Sequence, residues 1–151
     1  RSGSEISGPG RAVPTLGDYG TLAHIVDWDQ LPNGLLGISI EGKETFRLDG
    51  THSVESGLVV GQVVLNGAVQ SEPLLEKWRV LERVLRSLEK HPHVQRMNLT
   101  IDFNHAWQVG YSLVQLLPLE ESVKYELLGA KSLDNLMAGL DSILNQISPD
   151  A

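Results

Sequence analysis

Leu36, Ile38 and Ile40 alternate with Gly37, Ser39 and Glu41. This period of two predicts a strand over 36–41 with one face buried. Upstream, residues 21–29 (TLAHIVDWD) are rich in β-branched and aromatic types, which predicts a partner strand. Between them, Leu31, Pro32, Asn33 and Gly34 form a turn signal, so the pair reads as a β-hairpin. Residues 45–48 and 58–65 predict two further strands, with 49–57 as a polar loop between them. Gly61, inside the last strand, marks a bulge or a close backbone approach.

The period changes near residue 70. Ser71, Glu72 and Pro73 predict a helix start, with a cap, an early acid and an early proline. Leu74, Trp78, Leu81, Leu85 and Leu88 then recur at steps of four and three, and charged residues fill the other face. His91 and Pro92 end this helix. A second is predicted over 104–117, capped by Asp102 or Asn104, striped by Phe103, Trp107, Tyr111 and Val114, and stopped by Pro118. A third covers 120–128, with Glu120 and Glu121 at its positive end and Gly129 as its stop. Ser132 caps a fourth, which carries Leu133, Leu136, Leu140, Ile143, Leu144 and Ile147. Strands come first and helices second, which predicts an α+β fold. The expected division is a β-rich part over 1–70, opening on a loop over 1–19, and a four-helix part over 71–151. No internal repeat is visible.

Composition narrows the function. The 151 residues suit one domain-sized fold, and 41% hydrophobic content reads as globular. No apolar run approaches the roughly 18 residues needed to span a bilayer. Twelve Lys and Arg against 19 Asp and Glu give a net charge of −7, which argues against a general nucleic-acid surface. The chain has no cysteine, so thiol nucleophiles, disulfides and Cys-type zinc sites are excluded. It opens on Arg1, followed by glycine- and proline-rich residues without a basic-then-apolar leader, and is expected to be a piece of a longer cytoplasmic chain. The sequon at Asn98 is read as coincidence.

The candidate chemistry is thin. Gly37, Gly42 and Lys43 have the G-x-x-x-x-G-K spacing of a phosphate loop, but the inner residues alternate as a strand. Glu44 stands where a magnesium-binding hydroxyl belongs, and another strand follows instead of a helix. His91, His93 and His105 have loose metal-ligand spacing, though two of them flank Pro92 at a helix end. His24 alternates with apolar residues and reads as a strand filler. Asp27 and Asp29 share one strand face at a hairpin mouth, where aspartates commonly start turns. Ser122 with Lys124, and Lys131 with Ser132, bring hydroxyls near amines without a converging site. Arg79, Arg83, Arg86 and Lys90 line one helical face, read as a solvated face balanced by Glu76, Glu82 and Glu89. No catalytic residue, metal or cofactor is expected.

The runs GTLAHIVDWDQLPNG at 20–34, LLGISIEG at 35–42 and FRL at 46–48 resemble the N-terminal domain family of Lon proteases. In the helical half, LLPL at 116–119, then Lys124 and Leu127 with Leu128, resemble the same family. The similarity runs over about 17–147. It departs from the family pattern at Thr45 and Asn135, where arginine is common, and in lacking the family's opening strands and helix. The resemblance implies a PUA-like partial barrel followed by helices, with an incomplete sheet. It also implies a stand-alone, bacterial, non-catalytic module without the ATPase and serine–lysine peptidase parts; a peptidase label on it would be inherited. The implied role is binding of unfolded or apolar polypeptide, alone or beside a separate protease, with Trp28, Leu31, Leu35 and Phe46 as binding residues. Self-association through an open strand edge is a further expectation. The alternative is RNA binding, as in other PUA-like domains.

Overall fold

The computed structural model describes residues 16–147. Three antiparallel strands are followed by five helices, an α+β order. The strands are β1 (Tyr19–Gln30), β2 (Leu36–Ser53) and β3 (Val59–Leu65), in spatial order β1-β2-β3. The helices are α1 (Arg79–Glu89), preceded by a 3-10 turn at Glu76–Trp78, α2 (Pro92–Arg96), α3 (Ala106–Leu116), α4 (Glu121–Leu128) and α5 (Leu133–Ile147). The chain divides into two compact units between Ala68 and Val69. Most of the loop expected over 1–19 lies outside the described residues, and Tyr19 already belongs to β1.

The sheet is a meander joined by two turns of the same design. At the first, Leu31 N–H donates to Leu35 O and Gly34 N–H to Leu31 O, each at 2.8 Å. At the second, Val54 N–H donates to Leu58 O at 2.9 Å and Gly57 N–H to Val54 O at 2.8 Å. Gly34 and Gly57 both take positive φ, +80° and +82°, at the position where the chain must reverse, a conformation that side chains disfavour.

Two predicted strands prove to be one. The segments at 36–41 and 45–48 join into the 18 residues of β2, with no turn at Gly42 and Lys43. The reason is the length of β1, which pairs continuously from Tyr19↔Arg47 to Gln30↔Leu36. The extra residues are absorbed as bulges. One lies on β2 between the Thr21↔Thr45 and Ala23↔Gly42 pairs, and one at Val26 on β1. Much of the loop expected over 49–57 is also strand, since β2 runs to Ser53 with a third bulge at Asp49. Gly61 supplies close approach: a Cβ there would meet Leu48 Cδ1 at 2.9 Å.

The core of the described residues lies wholly in the helical unit. Leu81 and Leu85 of α1, Val109 and Leu113 of α3, and Leu136, Met137 and Leu140 of α5 are fully buried. Each full burial of such a side chain stabilises by roughly 1.5–3 kcal/mol, so this unit holds most of the apolar driving force. α3 is central and packs against α1, α4 and α5. The predicted start at Ser71 does not form a cap, and α1 begins later. Glu72 is engaged elsewhere: its carbonyl accepts the Ala106 N–H at 2.8 Å, and its carboxylate accepts Trp107 Nε1–H at 3.1 Å. Leu75 is accordingly extended, with ψ 150°. The chain past His91 forms the short α2, so the unit has five helices and not the expected four. His105, and neither Asp102 nor Asn104, occupies the α3 N-cap position, while Asp102 Oδ1 accepts the Asn104 N–H. Ser132 caps α5 as expected, its Oγ accepting the Asn135 N–H at 3.2 Å.

Candidate functional site

The outer half of the β1–β2 hairpin carries the most unusual surface. Pairing places Trp28 opposite Ile38, Gln30 opposite Leu36 and Ile25 opposite Ile40. Directly opposed residues project to the same face of a sheet. Ile25, Trp28, Leu36, Ile38 and Ile40 therefore form one apolar face, and each is 52–68% exposed. This corrects the expectation that Leu36, Ile38 and Ile40 are buried. Alternation selects a face, but burial needs a layer to cover it, and none covers this one among the described residues. Contiguous exposed apolar surface of this kind marks interaction sites.

The opposite face of the same half-hairpin is polar. Asp27 pairs with Ser39, Asp29 with Gly37 and His24 with Glu41. Lys43 Nζ lies 2.7 Å from Glu41 Oε1, and this cation holds the Glu41 carboxyl below its ordinary pKa. Asp27 and Asp29 are not arranged as an acid–base pair. Asp27 Oδ1 accepts the N–H of Trp28 and Asp29 Oδ1 that of Gln30, both at 2.8 Å. Short Asx side chains often bond neighbouring backbone in this way, which is the signal that was available in the sequence.

The four residues named from the sequence are distributed unevenly. Trp28 lies in the exposed face at 68% exposure. Leu31 and Leu35 sit at the hairpin end, bonded through their backbones; the Leu31 side chain lies over Gly37, on the polar side. Phe46 is elsewhere. It pairs with Gly20 and Leu65, and its half-buried ring fills the space above Gly20. At about 3.3 Å per residue it stands roughly 25 Å along β2 from Ile38. The bulge between Gly42 and Thr45 also carries it to the other face. Ile25, Ile38 and Ile40 join Trp28 instead.

The other motifs resolve into structure. Residues 37–44 of the phosphate-loop spacing lie inside β2. His91 and His93 stack at 5.4 Å between ring centroids, and His91 Nδ1 accepts the His93 N–H. No group of three or more potential metal ligands gathers among the described residues. On α1, Arg79 pairs with Glu76 and Glu82, and Arg86 pairs with Glu82 and stacks over Phe103. The depression beside them is lined by both signs of charge, Glu76, Lys77, Arg79, Glu82, Arg83 and Arg86. No described helix is long and apolar enough to cross a membrane.

This fold has solved relatives. It is similar to a Lon N-terminal domain protein from Xanthomonas campestris, at 30% sequence identity and a TM-score of 0.64, over 87% of this chain and 68% of that one. The chain belongs to the Lon N-terminal domain family. It also shares its fold with the N-terminal domain of a Mycobacterium avium complex Lon protease, at 12% identity and a TM-score of 0.59, over 87% of this chain and 72% of that one. No protein-family model matches the sequence, and no curated protein is similar to it.

Proposed function

We propose that this chain is a non-catalytic binding module that takes up exposed apolar segments of unfolded polypeptide. The observation that carries this reading is the uncovered face of Ile25, Trp28, Leu36, Ile38 and Ile40. Leu31 and Leu35 at the hairpin end border the site, and Phe46 is left out of it. Family membership supports the reading, because both matched structures are Lon N-terminal domains. A protease on a separate chain is the partner that would consume what the module holds. The RNA alternative gains no support from α1, whose Arg79 and Arg86 are engaged by glutamates.

The test uses intrinsic tryptophan fluorescence. A permanently unfolded polypeptide and a short RNA are titrated separately, at low and high salt. The expected result is a response to the polypeptide that salt does not weaken, since apolar burial survives salt and phosphate binding does not. A response to RNA alone, lost in salt, would replace this reading with the RNA one.

A further inference from the structure

This inference deepens the proposed binding function and rests on it. β3 pairs with β2 only over 46–53, so over 36–44 the side of β2 away from β1 has no strand beside it among the described residues. Among the described residues the outer side of β1 is open as well. The two edges differ chemically. On β1, the N–H groups of Trp28 and Gln30 are taken by the carboxylates of Asp27 and Asp29. In an antiparallel pair, alternate residues direct their N–H and C=O groups inward and outward. These two capped N–H groups are therefore the outward ones, and each carboxylate stands where an incoming carbonyl would have to dock. With the bulge at Val26, β1 carries two of the devices that keep a strand edge from pairing.

β2 carries no such cap over this stretch. The same alternation turns the backbone groups of Leu36, Ile38 and Ile40 outward, because their partners across the ladder are Gln30, Trp28 and Ile25. These three residues also supply the apolar face. One row of residues thus offers both free backbone groups and apolar side chains, the combination that recognises a strand.

We propose that the β2 edge over 36–40 takes an extended peptide as an added strand, with alternate apolar and basic side chains. The apolar side chains would lie beside Leu36, Ile38 and Ile40. The intervening ones would lie on the other face, where three carboxylates, Asp27, Asp29 and Glu41, outnumber the cation Lys43 and the imidazole His24. A second copy of this chain is a poor occupant. Its own β2 would present Glu41 to an acidic face, between molecules of net charge −7.

The test uses the full chain and a fluorescein-labelled nine-residue peptide of alternating valine and lysine. Three measurements are made: affinity by anisotropy, amide hydrogen exchange residue by residue, and mass by light scattering. The expected result is slowed exchange at Leu36, Ile38 and Ile40, with Trp28 and Gln30 unchanged. A valine–glutamate peptide, and the valine–lysine peptide N-methylated throughout, should each bind at least about tenfold more weakly, since net backbone hydrogen bonds of about 1 kcal/mol each are lost in the second. Equal binding of the N-methylated peptide without amide protection would overturn the edge and leave the apolar face standing. Failure of these peptides and of the unfolded polypeptide together would overturn both readings. Protection of the same amides without peptide, rising with a dimer mass, would give the edge to a second copy and overturn the proposal.

Discussion

Gly110 shows how little room the helical core leaves. A Cβ there would stand 2.7 Å from Leu136 Cδ2 and 3.3 Å from Met137 Sδ, so α3 and α5 touch through the missing side chain. Gly110→Ala is expected to destabilise by about 1–3 kcal/mol, the usual range for overpacking, as read from the urea midpoint of helical circular dichroism. Trp28 behaves oppositely, because its ring is mostly in water. Trp28→Ala should leave that midpoint within about 0.5 kcal/mol of the parent, as surface changes do. It should weaken binding of unfolded polypeptide about tenfold or more, the scale of an aromatic anchor. Unchanged affinity would remove Trp28 from the site.

Among the elements, α5 is tied to the turn before α1 by Lys77 Nζ, 2.8 Å from Asp134 Oδ1. The hydrogen bond and charge of Lys77 hold the Asp134 carboxyl below its ordinary value. A carboxylate whose folded pKa is depressed stabilises the fold above its unfolded pKa and loses that contribution as pH falls through the folded one. Asp134→Asn should therefore flatten part of the loss of stability below about pH 4, with little change in slope above it, in urea midpoints taken across pH. Burial raises the Tyr111 hydroxyl pKa, so Tyr111 opposes folding as pH climbs past its unfolded value. The helices show what a sequence makes legible. α4 and α5 stand close to their predicted bounds, since stop and cap signals such as Gly129 and Ser132 act locally. The start of α1 was not legible, because Glu72 is claimed by Ala106 and Trp107, more than thirty residues away. The fusion of two predicted strands into β2 has the same cause: a long partner strand pairs straight across the gap between them at Gly42 and Lys43. At the site, Trp28 could be named through the family resemblance. Its neighbours Ile25, Ile38 and Ile40 could not, because period two marks a face without saying what covers it.

At the scale of the molecule, the two units differ in what holds them together. Every buried residue among those described belongs to the helical unit, and the sheet is held by ladders and half-covered side chains. A fragment covering 69–147 is expected to fold alone, with a helical spectrum and a cooperative urea transition. A spectrum typical of unfolded chain would show that its core needs the sheet.

This division separates the cost of change from its benefit. On the proposed function, substitutions along the outer hairpin would alter what the surface grips while leaving Leu81, Leu113, Leu136 and Met137 undisturbed. Selection could then rewrite the proposed binding row at nearly constant fold stability, whereas drift in α3 or α5 is held in check by close packing. Within a lineage of such chains, recognition would diversify fastest on the hairpin and the helical half would serve as the conserved handle.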